Sequence, residues 1–497
     1  MVLGFDNNLY IRTQSEKIRE RIDKFNKKLY LEFGGKLFDD YHASRVLPGF
    51  APDSKMQMLR ELADIAEVVI VISADDIDKS KVRADLGITY DRDVLRLIDT
   101  FRKFGVMVGS VVISKFSGQA KAMDFERQLQ SLDIKVFRHH HIEGYPSNVR
   151  RIVSEAGFGR NDYIETTRPL VVVTAPGPGS GKLAVCLSQL YHENKRGVKA
   201  GYAKFETFPV WNLPIHHPVN LAYEAATADL GDTNVIDPYY RSPDGSTAVN
   251  YNRDVEAFPI LRETLRSIYG ECIYGSPTEM SVNMAGRCIT DDEVCRRAAR
   301  AEIVRRYYAG LCDEKKGRGS EETVDILRML MVKANLCAED RAVVGAAAAR
   351  SEETGGQPAM AIELQDGTVI TGKTSELMGA ASAAVLNAIK RLGGIPREVK
   401  LIEPRLIRPI QRLKTGTFGS VNPRLHSDET LIALSISAET NGPDSPAGIA
   451  MRQLPYLDGC DAHSTVILSS VDEDLYRRLG MTITCEPVYS GRHLFHR

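Results

Sequence analysis

The first half of the chain alternates compact apolar runs with stretches in which apolar residues recur every three or four positions. The runs are rich in β-branched residues, which is typical of buried strands, and the stretches between them have the periodicity of amphipathic helices. The predicted strands are residues 28–33, 67–73, 106–114, 135–139, 169–174 and 198–205. This alternation predicts an α/β fold with a largely parallel, P-loop-like or Rossmann-like sheet, in which ligands bind beyond the carboxyl ends of the strands.

The pattern changes twice towards the C-terminus. Residues 254–344 have helical periodicity, and a linker-like segment follows at 351–358. Two short apolar runs joined by Asp366-Gly367 then predict a hairpin, and residues 375–392 predict a helix. Further strands are predicted at 400–402, 464–468 and 482–485. We therefore predict three domains, an α/β domain over 1–250, a helical domain over 251–350 and an α+β domain over 351–497.

Composition limits the class of protein without naming a function. The 497 residues include 64 lysines and arginines and 65 acidic residues, and the formal net charge of −1 gives no sign of a surface for nucleic acid or membrane. No apolar run approaches the length that spans a bilayer, and the first residues lack a signal-peptide segment, so we expect a cytoplasmic protein. The eight cysteines include no C-x-x-C pair, which favours buried, reduced thiols over a zinc or redox site.

The most specific functional signal is a glycine-rich loop between a predicted strand and a predicted helix. Residues 170–193 read LVVVTAPGPGSGKLAVCLSQLYHE, so a β-branched run ends in a glycine-proline turn and a lysine opens the helix. Backbone N–H groups of such a loop, the helix dipole and the lysine charge together bind phosphate. The residues predicted to hold the anion are Gly177, Gly179, Ser180, Gly181 and Lys182.

The loop departs from the Walker A pattern G-x-x-x-x-G-K-[ST] at two positions. Pro176 stands in place of the first glycine, and Leu183 stands in place of the hydroxyl residue that binds Mg²⁺. Leucine cannot ligate a metal, so Mg²⁺ would need carboxylates from elsewhere in the chain. The alternative interpretation is that the glycines only let the helix pack tightly against the strand.

The layout after the loop is similar to the nucleotide-binding halves of dethiobiotin synthetase and CTP synthase. Those proteins have a phosphate loop, a helix, and a next strand that carries a second phosphate-facing lysine. The resemblance covers the short segment from the loop to that strand, and it implies that Lys204 is the second lysine. Glu206, Asp229 or Asp237 would orient Mg²⁺ or act as a base, and Asp232 is a further candidate for holding the metal.

A second string, GTVITGKT at 367–374, matches the Walker A pattern in full. Its first glycine belongs to the predicted turn and its middle residues read as a strand, whereas a phosphate cradle needs them in a loop, so we interpret the string as a hairpin. This hairpin and the helix after it resemble the start of the cytidine-deaminase fold. The zinc signature H/C-x-E with P-C-x-x-C is missing, so the resemblance implies that topology without deaminase chemistry.

Five long strings are specific enough to point to relatives. They are PGPGSGKLAVCLSQLYHE, GYAKFETFPVWNLP, HPVNLAYEAATADL, ITGKTSELMGA and NPRLHSDE. Together they resemble an uncharacterised bacterial family, commonly labelled only as a domain of unknown function, and the resemblance covers nearly the whole chain. It implies an α/β part, a helical insertion and a deaminase-like α/β part. Some members are labelled ATP-dependent peptidases, but the chain has neither H-E-x-x-H nor a G-x-S-x-G elbow, so we expect no peptidase chemistry.

These signals favour an enzyme that binds a nucleotide or phosphorylated metabolite at the glycine loop and uses ATP and Mg²⁺ in a ligase-like or kinase-like transfer. Lys182 would neutralise phosphate charge, and Lys204 would assist it. A non-catalytic protein that binds a phosphorylated metabolite would use the same loop and would explain the missing hydroxyl at Leu183. A third interpretation is a structural homo-oligomer in which the loop is only a packing device. The first two imply a small phosphate-bearing ligand, with neither nucleic acid nor membrane as partner.

Overall fold

The computed structural model describes residues 3–35, 37–38, 40–83, 87–242 and 245–491. Its contacts divide the chain into two compact units, which we call the N-terminal unit (residues 2–299) and the C-terminal unit (residues 300–497). In the described part of the chain, no helix combines the length and the apolar character that crossing a bilayer requires.

The N-terminal unit is built on a seven-stranded parallel sheet. Its strands, with those of two small antiparallel pairs, are β1 (Leu29–Phe33), β2 (Ala66–Ser73), β3 (Val82–Arg83), β4 (Ile88–Thr89), β5 (Met107–Phe116), β6 (Val136–His140), β7 (Leu170–Thr174), β8 (Gly201–Phe205), β9 (Asn234–Ile236), β10 (Val249–Tyr251) and β11 (Ser281–Val282). The sheet order is β11-β8-β1-β7-β2-β5-β6, and β3 pairs with β4 and β9 with β10 outside it. Because β2 and β7 are buried along their whole length, they read as continuous apolar runs.

Helices connect these strands and cover the sheet. They are α1 (Asn7–Lys24), α2 (Tyr41–Val46), α3 (Ser54–Glu61), α4 (Ala74–Asp78), α5 (Tyr90–Lys103), α6 (Ala120–Ser131), α7 (Val149–Ile152), α8 (Lys182–Lys195), α9 (Pro218–Ala226), α10 (Asn252–Tyr269), α11 (Pro277–Met280) and α12 (Asp292–Lys315), the last of which continues into the C-terminal unit. Since the main sheet is parallel throughout, the carboxyl ends of its strands lie at one edge. The glycine loop follows β7, the central strand, at that edge.

The C-terminal unit packs helices against a four-stranded sheet. Its elements are α13 (Glu321–Lys333), α14 (Ala342–Glu352), β12 (Ala359–Glu363), β13 (Val369–Lys373), α15 (Ala380–Leu392), α16 (Pro404–Arg412), α17 (Ser427–Asn441), α18 (Pro446–Met451), β14 (Asp461–Ser464), α19 (Ser470–Arg478) and β15 (Thr482–Cys485). The sheet order is β13-β12-β14-β15, in which β12 is antiparallel to both neighbours and β14 is parallel to β15. A buried cluster around Ala384, Ile389 and Leu434 forms the core of this unit.

The predicted α/β fold and its largely parallel sheet are confirmed. All six strands predicted in the first half are present, and they are neighbours in one sheet. The hairpin predicted at Asp366-Gly367 is also confirmed, because β12 and β13 pair across it and Gly367 has a φ of +82°. The string GTVITGKT therefore forms a turn and a strand rather than a phosphate cradle. The two-residue strand β11 gave no signal in the sequence.

Two strand predictions in the last third were wrong in part or in full. No strand forms at 400–402: Leu401 and Ile402 are buried side chains at the entrance to α16, which opens at Pro404, so burial rather than strand pairing explains their apolar character. The strand predicted at 464–468 ends at Ser464 instead. The helix predicted from residue 375 begins at Ala380. The division into three domains stays a prediction.

Candidate functional site

The glycine loop joins the end of β7 to the start of α8. Gly179 and Gly181 have φ angles of +75° and +91°, which side chains with a Cβ rarely adopt, so glycine is required to turn the chain into the helix. Two hydroxyls fix the loop from inside. Ser114 Oγ donates to the carbonyl of Ser180 at 2.6 Å, and Ser180 Oγ donates to the carbonyl of Gly177 at 2.8 Å. The side chain of Ser180 thus stabilises the loop itself.

The backbone amides of the loop stay unpaired among the residues that the structure describes. No described residue accepts a hydrogen bond from the N–H of Gly177, Gly179, Ser180, Gly181 or Lys182, and no side chain caps α8. The carbonyls of the loop are held by hydroxyls while its N–H groups remain available. Together with the positive end of the helix dipole, this arrangement favours an anion at the start of α8.

Lys182 is the first residue of α8 and is partly exposed. Within the described ranges no carboxylate lies at ion-pair distance from its ammonium group, so its charge is not neutralised by the protein. The next residue, Leu183, which stands in place of the Walker A hydroxyl, lines an apolar cleft between α8 and α10. The start of α8 therefore offers a charge to an anion but no hydroxyl to a metal.

Lys204 lies near the end of β8, in contact with two carboxylates. Its Nζ is 2.8 Å from Glu206 Oε1, and it donates to Asp254 Oδ2 in the first turn of α10. The ring of Tyr251 lies 5.3 Å from the same Nζ. Burial disfavours the charge on Lys204, but the two carboxylates outweigh it and raise the pKa of Lys204 above its ordinary value. Lys204 is thus a permanent cation held by two acidic partners.

Glu206 is the least satisfied polar group of this cluster. Its side chain is almost fully buried, and neither carboxylate oxygen has a hydrogen-bond partner of good geometry in the described chain. The contact with Lys204 is at ion-pair distance but is not aligned as a hydrogen bond. Burial raises the pKa of Glu206 to about 7, although the Lys204 charge acts in the opposite direction. Glu206 can therefore gain or lose a proton near neutral pH.

Glu32 lies between β7, the strand that leads into the glycine loop, and the cluster formed by Lys204, Glu206 and Asp254, which we call the Lys204 cluster. In the sheet register it lies beside Val173 of β7 on one side and beside Lys204 of β8 on the other. Tyr202 Oη donates to its Oε2 at 2.8 Å. Adjacent strands are separated by about 4.8 Å, so the backbone of Lys204 lies about 10 Å from the strand that leads into the loop. Lys204 is therefore two strands away from the strand that leads into the loop.

The structure does not bring the other predicted acidic residues into this cluster. Asp229 is exposed in a single helical turn after α9. Asp237 is buried, and its oxygens accept from Thr278 N and Oγ1 and from two backbone amides of the next turn. Asp232 is paired with Arg253. Among the described residues no contact joins any of the three aspartates to Lys182 or Lys204.

The sequence alone did not connect Glu32 or Asp254 with Lys204. Nothing marks Glu32 in the sequence, because a lone glutamate inside an apolar strand has no distinctive spacing. Its alternation with buried Leu31 and Phe33 could have placed it on a separate face. No group of three or more metal-ligating side chains converges in the part of the chain that the structure describes.

Comparison with known proteins gives a family but no reaction. The family model "Domain of unknown function DUF1846, N-terminal" matches residues 3–335, and the corresponding C-terminal model matches residues 339–495. The UPF0371 protein of Corynebacterium urealyticum is 54% identical over 496 residues, covering 100% of this chain and 99% of that protein. A UPF0371 protein of Streptococcus thermophilus is 53% identical over 494 residues, covering 99% of each.

Among solved structures, the Aeropyrum pernix ORC2 protein in its ADP form is similar at 13% identity and a TM-score of 0.16, covering 86% of this chain and 84% of that chain. A similarity of this size carries no argument about fold or function. The family models and the near full-length relatives agree with each other. The chain belongs to the DUF1846 family of bacterial proteins, whose close relatives are named UPF0371 proteins.

Proposed function

We propose that the protein is an enzyme that binds a nucleotide or a phosphorylated metabolite at residues 177–182 and transfers a phosphoryl group or an activated acyl group. The observation that carries the proposal is the set of unpaired loop amides next to the unneutralised charge of Lys182. The loop is exposed at Gly179, so an anion from solvent can reach these N–H groups and accept hydrogen bonds from them.

The Lys204 cluster supplies the second half of the proposed site. Lys204 would place a second positive charge against the transferred group, which is most of what phosphoryl transfer requires of a protein. Glu206, with a pKa of about 7 and no aligned hydrogen bond, would take a proton from an attacking hydroxyl or amine. Asp254 and Glu32 would keep Lys204 charged and oriented between them.

ATP and Mg²⁺ remain part of this proposal as ligand and metal. Magnesium is commonly held by one or two carboxylates together with the phosphates of the substrate, so a dedicated cage is not required. Glu206 and Asp254 are the carboxylates next to Lys204 that fit such a role. Asp229 and Asp237, proposed from the sequence as metal or base residues, lie apart from Lys204 and would have to act on another part of the substrate.

We also propose a P-loop-like topology for the N-terminal unit and a cytidine-deaminase-like topology for the C-terminal unit. The sequence of parallel strand, glycine loop, helix and a lysine-bearing next strand supports a P-loop-like N-terminal unit. In the C-terminal unit, a hairpin followed by a helix, with the first strand antiparallel to its neighbours, supports a cytidine-deaminase-like topology. The missing zinc ligands argue that any such topology serves another purpose here.

The test is calorimetric titration with pyrophosphate, ATP and Mg-ATP. We expect Lys182→Ala to weaken binding of these anions about tenfold or more, because a charge-assisted hydrogen bond contributes about 1.5–3 kcal/mol. Lys195→Ala, at the other end of the same helix and paired with exposed Glu155, is the matched control and should bind as the wild type does. Equal, negligible binding by the wild type and Lys182→Ala would overturn the proposal.

A second candidate is a non-catalytic protein that senses a phosphorylated metabolite. Leu183 favours it, because the usual magnesium-binding hydroxyl is absent at that position. Labelled ATP with candidate acceptors distinguishes the two functions, since only an enzyme consumes it. Glu206→Gln is the informative variant: it should abolish turnover and leave anion affinity nearly unchanged if Glu206 transfers a proton.

A further inference from the structure

An apolar cleft lies directly beside the glycine loop, and we infer that it holds the apolar part of a phosphate ester bound at the loop. This inference rests on the proposed function, since it assumes that a phosphate occupies residues 177–182. The cleft has a cavity volume of about 70 Å³ and opens to solvent. Its main apolar walls are Tyr145, Ile152, Leu183, Leu187, Ile260 and Leu261.

The cleft begins at the N-terminal ends of α8 and α10, each of which carries a charged residue. On α8, Leu183 directly follows Lys182, and Leu187 is one turn further along the same face. On α10, the first turn carries Asp254, the partner of Lys204, and Ile260 follows about two turns later. At a rise of about 1.5 Å per residue, Leu187 is about 8 Å along the helix from Lys182. A phosphate at the loop therefore places its ester group at the mouth of the cleft.

The lining of the cleft selects against a sugar. Thr264 is the only aliphatic hydroxyl in the wall, and its Oγ1 already donates to the carbonyl of Ile260 at 2.9 Å. The hydroxyl of Tyr145 is the other polar side-chain group. A polyhydroxylated group in this cleft would lose hydrogen bonds to water without replacing them, whereas an alkyl or aryl group gains from burial. The group that enters the cleft is therefore alkyl or aryl, and a nucleotide bound at the loop would keep its ribose outside the cleft.

The apolar cleft gives a reason for the leucine at position 183, where the Walker A pattern has a hydroxyl residue. A serine or threonine at position 183 would put a hydroxyl at the junction between phosphate and cleft. Leucine extends the apolar wall to that junction instead and is one of the residues that line it. The departure from the Walker A pattern is then a specificity feature of this site, with Leu183 contacting the carbon atoms nearest the phosphate.

The experiment compares phenyl phosphate with glycerol 3-phosphate, which has the same charged group and a hydroxyl-rich body. On the wild type we expect phenyl phosphate to bind about tenfold more tightly or better, the effect of burying a small ring. Ile260→Asn should remove most of this preference while changing the glycerol 3-phosphate affinity less than about twofold. Ile260 is 36% exposed, so the variant keeps its fold. Ile432→Asn, at an exposed position of α17, is the matched control.

Lys182→Ala separates this inference from the proposed function. If both hold, the variant weakens both esters by a similar factor. Equal affinities for the two esters on the wild type, or a preference that survives Ile260→Asn, would overturn the cleft assignment while leaving the loop intact. Phenyl phosphate binding that does not depend on Lys182 would also overturn it, because the cleft would then act without the loop. If Lys182→Ala weakens neither ester, the proposed function itself fails.

Discussion

Gly177 packs directly against the ring of Tyr90, the first residue of α5. A Cβ at position 177 would lie 2.3 Å from Tyr90 Oη and 2.7 Å from its Cζ, far inside van der Waals contact. Gly179, two residues later, faces open space, and nothing lies within 4 Å of its ideal Cβ position. The loop is therefore fixed at its first glycine and open at its second. This is the arrangement that a ligand-binding loop needs, with one end anchored in the core and its middle accessible.

We predict a strong coupling between positions 177 and 90. Gly177→Ala should destabilise the N-terminal unit by about 1–3 kcal/mol, because the added methyl collides with a buried ring. Tyr90→Ala opens that space, so the double variant should be more stable than the sum of the single effects by about 1 kcal/mol or more. A double-mutant cycle on the free energy of unfolding measures the coupling.

Gly179→Ala provides the control for this cycle. Its cost comes from the left-handed backbone conformation, about 1–2 kcal/mol, and not from a neighbour. It should therefore show no coupling to Tyr90→Ala. Equal coupling energies at positions 177 and 179 would mean that the loop does not rest on Tyr90 as described.

Stability should depend on pH through Glu206. Burial raises its pKa in the folded protein to about 7, above the value of about 4.5 expected in the unfolded chain. A raised pKa gives stability that is fully present below the unfolded value and is lost as the pH rises through the folded value. Glu206→Gln removes this loss, so from pH 5 to pH 8 the variant should gain on the order of 2 kcal/mol relative to the wild type. Chemical denaturation at both pH values measures the gain.

An exposed carboxylate on the neighbouring helix gives the reference for this measurement. Glu256→Gln removes a charge from α10 in a solvated position and should leave the pH dependence of stability unchanged. If the unfolding free energies of wild type and Glu206→Gln run parallel over the same pH range, Glu206 is ionised without penalty. Its role as a proton acceptor would then lose its support.

The sequence predicted best those features that depend on residues close together along the chain. β2 and β7 are buried on both faces, so their apolar runs are continuous and their bounds were predicted closely. The glycine loop was found because its residues are contiguous. The cluster around Lys204 depends instead on Glu32 and Asp254, which are far apart in sequence and meet only through strand register and helix docking. No local spacing records such a contact.

The two Walker-like strings should respond differently to mutation. In the C-terminal unit, a Cβ at Gly372 would lie 2.2 Å from the backbone N of Ala384, so this glycine is needed for β13 to approach α15. Gly372→Ala should destabilise the C-terminal unit by about 1–3 kcal/mol. Lys373→Ala, in the matching lysine position, should change neither stability nor pyrophosphate affinity. Loss of pyrophosphate affinity in Lys373→Ala, measured by calorimetry beside Lys182→Ala, would reverse our assignment of the two strings.

In the C-terminal unit, the start of α17 is joined to α19 by an ion pair that should act only when a histidine is charged. His426 Nδ1 lies 3.1 Å from Asp472 Oδ2, and Asp472 Oδ1 accepts from Ser427 N and Oγ at 2.8 and 2.7 Å. The hydrogen bond that His426 donates to Asp472 is the largest cause of a raised pKa of His426. The stabilisation is therefore full below about pH 6.5, the ordinary histidine value, and is lost as the pH rises through the higher folded value.

Asp472→Asn tests this pair, because asparagine keeps an oxygen for Ser427 but removes the charge that faces His426. We expect the pKa of His426, followed by the NMR shifts of its ring protons, to fall in the variant. We also expect a destabilisation about 1 kcal/mol larger at pH 6 than at pH 8.5. Asp474→Asn, an exposed aspartate of the same helix, should change neither quantity. A His426 titration that is the same in the wild type and Asp472→Asn would show that the two side chains are neighbours without being electrostatically coupled.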